Sequence, residues 1–167
     1  RVVYSASSSA YGDQRQMPIV ETMPTAPISP YALHKLIGEQ YCYVFSKCYG
    51  LETVSLRYFN VYGERQMVDG PYCTVVGTFL KQKADGQKLT ITNDGNQRRD
   101  FTYVQDVVDA NIKAATSEKV GEGEVINIGR GNNYSVNEIA EMIGGETEFV
   151  GDRLEPYETL ADNTKAK

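Results

Sequence analysis

Two short runs with β-branched and aromatic residues, Arg1–Ala6 and Glu52–Phe59, flank one stretch in which apolar residues return at helical spacing. That stretch runs from Tyr31 to Tyr49 and carries Leu33, Leu36, Ile37, Tyr41, Val44, Phe45 and Cys48. Strand, crossover helix and strand make a βαβ unit, so the two strands should be parallel and the crossover right-handed. The helix has both of its punctuation marks. Ser29 stands where an N-cap accepts backbone N–H bonds, Pro30 fits the first turn, and Gly50 provides the stop.

The same reading extends along the chain. Residues 13–30 hold four of the six prolines and should form a long ordered loop. After a polar loop at 62–72, a helix is expected over Thr74–Ala84, then a strand Leu89–Thr92 and an Asn-Asp-Gly turn. Phe101–Val104 reads as extended, with Asp106 capping a helix to about Ser117. Glu124–Ile128 is a further strand. Ser135 and Glu138 form a capping box for a helix over Val136–Ile143, and residues 147–160 are mixed. The class is α/β. In such folds ligands gather at the carboxyl ends of the strands, here Ser7-Ser8-Ser9 and Asn60-Val61-Tyr62.

Composition removes several classes of function. A net charge of -5 argues against nucleic acid as the main partner. No apolar run is long enough for a membrane span, and no secretory leader opens the chain. The three cysteines, Cys42, Cys48 and Cys73, lack metal-ligand spacing, so no metal site and a cytoplasmic setting are expected. Arg1 begins within a strand pattern and Lys167 ends within a helix-like one, so both ends are expected to be cuts through structure.

Chemistry concentrates in Tyr31-Ala32-Leu33-His34-Lys35. Residues four apart share a helix face, so the phenol and the ammonium can serve one site. Free tyrosine titrates near 10, and a neighbouring cation favours the phenolate, which makes a usable acid and base. Alone, this spacing is short and common, and an amphipathic aromatic beside a solvated lysine satisfies it. Ser7 could reach the same substrate hydroxyl, although a serine-rich turn also satisfies its own backbone. His34 points to another face and is taken as structural or solvated.

Longer runs add a resemblance. Ser5–Asp13 (S-A-S-S-S-A-Y-G-D), Ser29–Gln40 (S-P-Y-A-L-H-K-L-I-G-E-Q) and Leu56–Gln66 (L-R-Y-F-N-V-Y-G-E-R-Q) are similar to extended short-chain dehydrogenase/reductases. So are the run from Asp94 to Asn111, Ile126–Gly129 and Leu160–Ala166. Within that group the chain resembles UDP-hexose 4-epimerases over essentially its whole length. The resemblance implies the C-terminal part of a Rossmann-like parallel sheet plus a small mixed α/β substrate-binding domain. Residues 1–66 would belong to the cofactor domain and 67–167 to the substrate region, with about 100–118 returning to the first.

It also implies roles. Tyr31 would take the sugar C4 proton, Lys35 would assist it and hold the nicotinamide ribose, and Ser7 would bind the reacting hydroxyl. NAD would accept and return the hydride by way of a 4-keto sugar. Phe59 would lie near the nicotinamide and Asn60 near the substrate. Thr74 and Val75 would hold the uridine, with Leu89–Ile91 a weaker match, while Arg99 and Arg153 would grip the diphosphate of a UDP-sugar. Thr159, three residues before Asp162, would leave room for an N-acetyl group at C2. The helix from Tyr31, with Ile37 and Val44 outward, would carry a homodimer contact.

Departures from the family pattern are equally informative. Ser8-Ser9 replace the Asp-Glu pair of the 4,6-dehydratases, which demotes elimination, and decarboxylation falls with it. Around Arg153 the chain reads R-L-E-P-Y, one residue shorter than the family's usual R-P-G-E-P. No G-x-x-G-x-x-G turn occurs, so the 167 residues alone are expected to bind NAD poorly and to be inactive. The rival readings are an NADP-dependent nucleotide-sugar reductase and a nucleotide-sugar-binding fragment without catalysis.

Overall fold

The computed structural model describes residues 1–68, 70 and 73–167; the polar-loop expectation for 69, 71 and 72 lies outside them. Strand β1 (Val2–Ser7) leads into one 3-10 turn (Ser8–Tyr11), and after the proline-rich loop helix α1 (Pro30–Tyr49) returns the chain to β2 (Thr53–Tyr58). β1 and β2 pair in parallel, Val2 opposite Thr53 and Ser7 opposite Tyr58, and β2 pairs in parallel with β7 (Glu122–Ile128). The expected βαβ unit is therefore present. Sheet order is β1-β2-β7, with the central β2 almost fully buried.

Helix boundaries follow their caps. The Ser29 side chain accepts from the Ala32 N–H, and Gly50 closes α1 in the left-handed region at φ 66°. α2 (Val75–Ala84) starts after Thr74. β4 (Leu89–Ile91), β5 (Arg98–Asp100) and β6 (Thr102–Tyr103) precede α3 (Val104–Thr116). β8 (Asn133–Ser135) runs into α4 (Val136–Ile143), whose Ser135–Glu138 capping box is complete, and β9 (Thr147–Phe149) follows.

Several details differ from the sequence reading. Asp106 is not the cap of α3: the helix starts directly after β6 with Tyr103 at the N-cap, and Asp106 lies in its first turn. There its charge still faces the positive helix end. Tyr62 is not in a loop, because β3 (Val61–Tyr62) pairs in parallel with β6. β7 starts two residues earlier than expected. The mixed region contains β9, parallel to β4, and a bridge from Glu158 to Arg98. β5 and β8 form a small antiparallel pair. Such two- and three-residue strands carry too little periodicity to be read locally.

Among the described residues, three apolar clusters hold these parts. Val54, Leu56, Ile126 and Ile128 of the parallel sheet pack with Val107 and Ala114 of α3. Phe79, Leu89, Ile91, Phe101, Val136, Ile139 and Ala140 join α2, β4 and α4. Tyr11, Ile19, Phe59 and Ala161 fill the space under the proline-rich loop.

The apolar stripe of α1 is not its buried face. Leu33, Ile37, Tyr41, Val44 and Phe45 are exposed, whereas Ala32 and Glu39 are buried. Glu39 can sit at 2% exposure because Arg57 of β2 lies beneath it as a charge partner. Among the described residues no helix is long and apolar enough to cross a membrane, and no group of His, Cys, Asp and Glu could hold a metal ion.

Candidate functional site

Ser7 occupies the last position of β1, at the carboxyl end of the sheet. Its Oγ caps the 3-10 turn that follows, accepting from the Ser9 N–H at 3.2 Å and from the Ser9 hydroxyl at 2.8 Å. Helix α1 packs against both β1 and this turn, which brings its first turns to the same end of the sheet.

Tyr31 and Lys35 face one space. Lys35 Nζ donates to the Ser5 carbonyl at 2.8 Å and lies 5.8 Å from the centroids of both the Tyr31 and Tyr4 rings. That distance is within reach of a cation–π attraction. Tyr31 is 43% exposed. Beneath, the Tyr4 hydroxyl is packed against Gly38. Burial first, then the neighbouring Cys42, Glu39 and Tyr31, push the Tyr4 phenol up.

At the end of β2, Phe59 turns its ring into the core with Tyr11, and its N–H donates to the Ile128 carbonyl at 3.0 Å. Only its backbone can therefore face a ligand. Asn60 is brought to Thr159 across 99 residues of sequence: its Nδ2 donates to Thr159 Oγ1 at 3.4 Å and to the Asp100 carbonyl at 3.3 Å. Thr159 is buried and also accepts from the Asp100 N–H.

A second group surrounds Arg99. Its Nη2 donates to Glu155 Oε2 at 2.8 Å, and Nη1 donates to the carbonyls of Arg98 and Tyr157. Glu155 Oε1 also accepts from Asn93, whose own Oδ1 receives the Arg153 N–H at 2.8 Å. Arg99 and Arg153 are thus joined through Glu155 and Asn93, with Arg153 exposed at the rim. Thr74 stands at the N-cap of α2 without a side-chain cap bond, while the Val75 side chain packs on the α2–α4 cluster.

Buried Asp100 and Arg57, with Tyr11, and the half-buried Glu155 escaped sequence reasoning. Asp100 accepts from the backbone N–H groups of Arg130, Gly131 and Ala161, tying three segments together. Burial raises its carboxyl pKa against the downward pull of those donors. Arg57 stacks over Tyr11 at 4.3 Å, and the Tyr11 hydroxyl donates to Asn127 at 2.7 Å. Burial pushes the Tyr11 phenol up despite the nearby Arg57. Glu155 was visible only as the acidic residue of the shortened R-L-E-P-Y run. No periodicity marks any of them.

Residues 1–129 match the model of a family described as the NAD dependent epimerase/dehydratase family. A putative UDP-glucose 4-epimerase of Methanocaldococcus jannaschii is 38% identical, with 100% of this chain and 56% of that protein covered. The UDP-glucuronic acid 4-epimerase of Bacillus cereus, solved with UDP-glucuronic acid and NAD, superposes with a TM-score of 0.90 at 36% identity. That match covers 98% of this chain and 53% of the other. The UDP-N-acetylglucosamine 4-epimerase of Methanobrevibacter ruminantium, solved with UDP-N-acetylmuramic acid, gives 0.90 at 34% identity, covering 98% and 54%. The chain spans about half the length of the curated relatives it matches.

Proposed function

Because this chain belongs to the NAD dependent epimerase/dehydratase family, we propose that it carries the catalytic and substrate-binding half of a UDP-hexose 4-epimerase. The carrying observation is the position of Lys35, bonded to the carbonyl two residues before Ser7 and facing the Tyr31 ring at 5.8 Å.

In this reading Tyr31 takes the proton of the sugar C4 hydroxyl, and the Lys35 ammonium favours the phenolate that does so. Ser7 holds the reacting oxygen. NAD, when bound, supplies a reversible hydride acceptor, so one cofactor can serve both halves of an inversion at C4. Tyr31, Lys35 and the Phe59 backbone are the residues assigned to it. Their fit is one of chemistry: a half-exposed tyrosine, a cation anchored beside it, and backbone at the end of a parallel strand.

Arg99 and Arg153 are assigned to the diphosphate. Support comes from Glu155, since a guanidinium that donates to a carboxylate through one Nη is held in place with further N–H donors in a fork suited to phosphate oxygens. Thr74 and Val75 are assigned to the uridine, through backbone in the case of Val75. Asn60 and Thr159 are assigned to the sugar, with the small Thr159 leaving room for an N-acetyl group. The relatives that act on UDP-N-acetylglucosamine and on UDP-glucuronic acid make several C2 and C6 substituents worth testing.

For a division at residue 66/67, the return of α3 to the first part is supported by its packing on the parallel sheet, which β7 also joins, while α2 and α4 share a separate cluster. A homodimer through α1 is supported by its exposed Leu33, Ile37, Tyr41 and Val44. A cytoplasmic setting is supported by the unpaired state of all three cysteines.

The test is interconversion of UDP-glucose and UDP-galactose by the protein at its natural length. We expect turnover with no net change in nicotinamide absorbance, and a loss of at least about 100-fold in Tyr31→Phe. Stoichiometric cofactor consumption would favour a reductase, and UDP binding without any turnover would leave a binding module.

A further inference from the structure

We propose that Ser9 is a positioning residue that fixes Ser7 as a hydrogen-bond donor toward the reacting sugar oxygen, a refinement that rests on the role given to Ser7 above. A serine oxygen offers two lone pairs and one proton. Both lone pairs of Ser7 are engaged by Ser9, through its hydroxyl at 2.8 Å and its N–H at 3.2 Å. What remains to Ser7 is its own O–H. The residue is buried at the end of β1 and in register with Tyr58, so the hydroxyl is presented from a rigid position.

This polarity suits the chemistry. As the sugar oxygen gives its proton to Tyr31 it gathers negative charge, and a fixed donor stabilises that charge. An acceptor at the same place would compete with Tyr31 for the proton. Ser7 therefore keeps its own proton throughout, and the proton from the sugar passes to Tyr31 without being relayed. Ser9, whose hydroxyl donates its hydrogen bond to Ser7, acts only through Ser7.

Ser9→Ala and Ser9→Thr, assayed at natural length with NAD and UDP-glucose, test this. Ser9→Ala should lower kcat about tenfold with KM within about twofold, since the lost bond orients a donor used in the transition state. Ser9→Thr keeps the hydroxyl and should recover most of the rate. Wild-type kcat in Ser9→Ala, or a Ser9→Thr variant as slow as the alanine one, would overturn the proposal while leaving the epimerase reading intact. A wild-type protein without turnover would remove that reading, and this refinement with it.

Discussion

Arg57 and Glu39 meet in a two-pronged ion pair between β2 and α1, Nε to Oε2 at 2.8 Å and Nη2 to Oε1 at 2.5 Å, with both side chains almost wholly buried. Burial alone would depress the Arg57 pKa, but the Glu39 bond and the fields of Tyr11 and Glu39 outweigh it. The pair sets the face that α1 turns to the sheet, and so the direction of Tyr31 and Lys35. Glu39→Ala would strand a buried cation and should cost about 3–5 kcal/mol in chemical denaturation. Replacing both partners by methionine should recover most of that loss.

Gly38 predicts an unusual sign. Glycine to alanine inside a helix ordinarily gains about 0.5–1 kcal/mol. Here the added Cβ would stand 2.2 Å from the Tyr4 hydroxyl oxygen and 2.3 Å from its ring carbon. Gly38→Ala should therefore destabilise by about 1–3 kcal/mol, as overpacking does. Thermal melts of Gly38→Ala with Tyr4→Leu should show much of the stability restored.

Asp100 offers both carboxyl oxygens to three backbone N–H groups, at 2.9, 2.9 and 3.0 Å. Asparagine can accept at only one of its two terminal atoms and would point an N–H at a donor. Asp100→Asn should lose about 2–4 kcal/mol. Amide exchange should accelerate at Arg130, Gly131 and Ala161 together, and protection unchanged at those three positions would contradict the tie.

The start of α4 should be acid-sensitive. The Ser135 N–H, and then the Ser135 hydroxyl, hold the Glu138 carboxyl below the usual glutamate range. A depressed folded pKa means stability that is full above the unfolded value and lost as pH falls through the folded one. Exchange at the first turn of α4 should rise only in that acid window, and Glu138→Gln should abolish the dependence. Ser135→Ala should cost about 1 kcal/mol at neutral pH.

Ligand binding separates the two arginines. Arg99 is buried and held by Glu155 and two carbonyls, whereas Arg153 lies exposed. Arg99→Ala should weaken UDP at least about tenfold by calorimetry, the loss expected of charge-assisted bonds in a fixed geometry. Arg153→Ala should weaken it less and lose its effect as salt is raised.

The sequence alone determined what is set within one helical turn or one strand. That includes the β1–α1–β2 crossover, the caps at Ser29 and Ser135, the stop at Gly50, and the i,i+4 placement of Tyr31 and Lys35 on one face. Local backbone sterics and hydrogen bonding decide such features, so a short window contains the answer. Tertiary structure decided the rest: that α1 buries Glu39 and not its apolar stripe, that Asn60 meets Thr159, that Arg99 is held by Glu155, and that two-residue strands pair at all. Those choices depend on compensating buried charge with a partner brought in by the fold, and charge compensation leaves no period in a sequence.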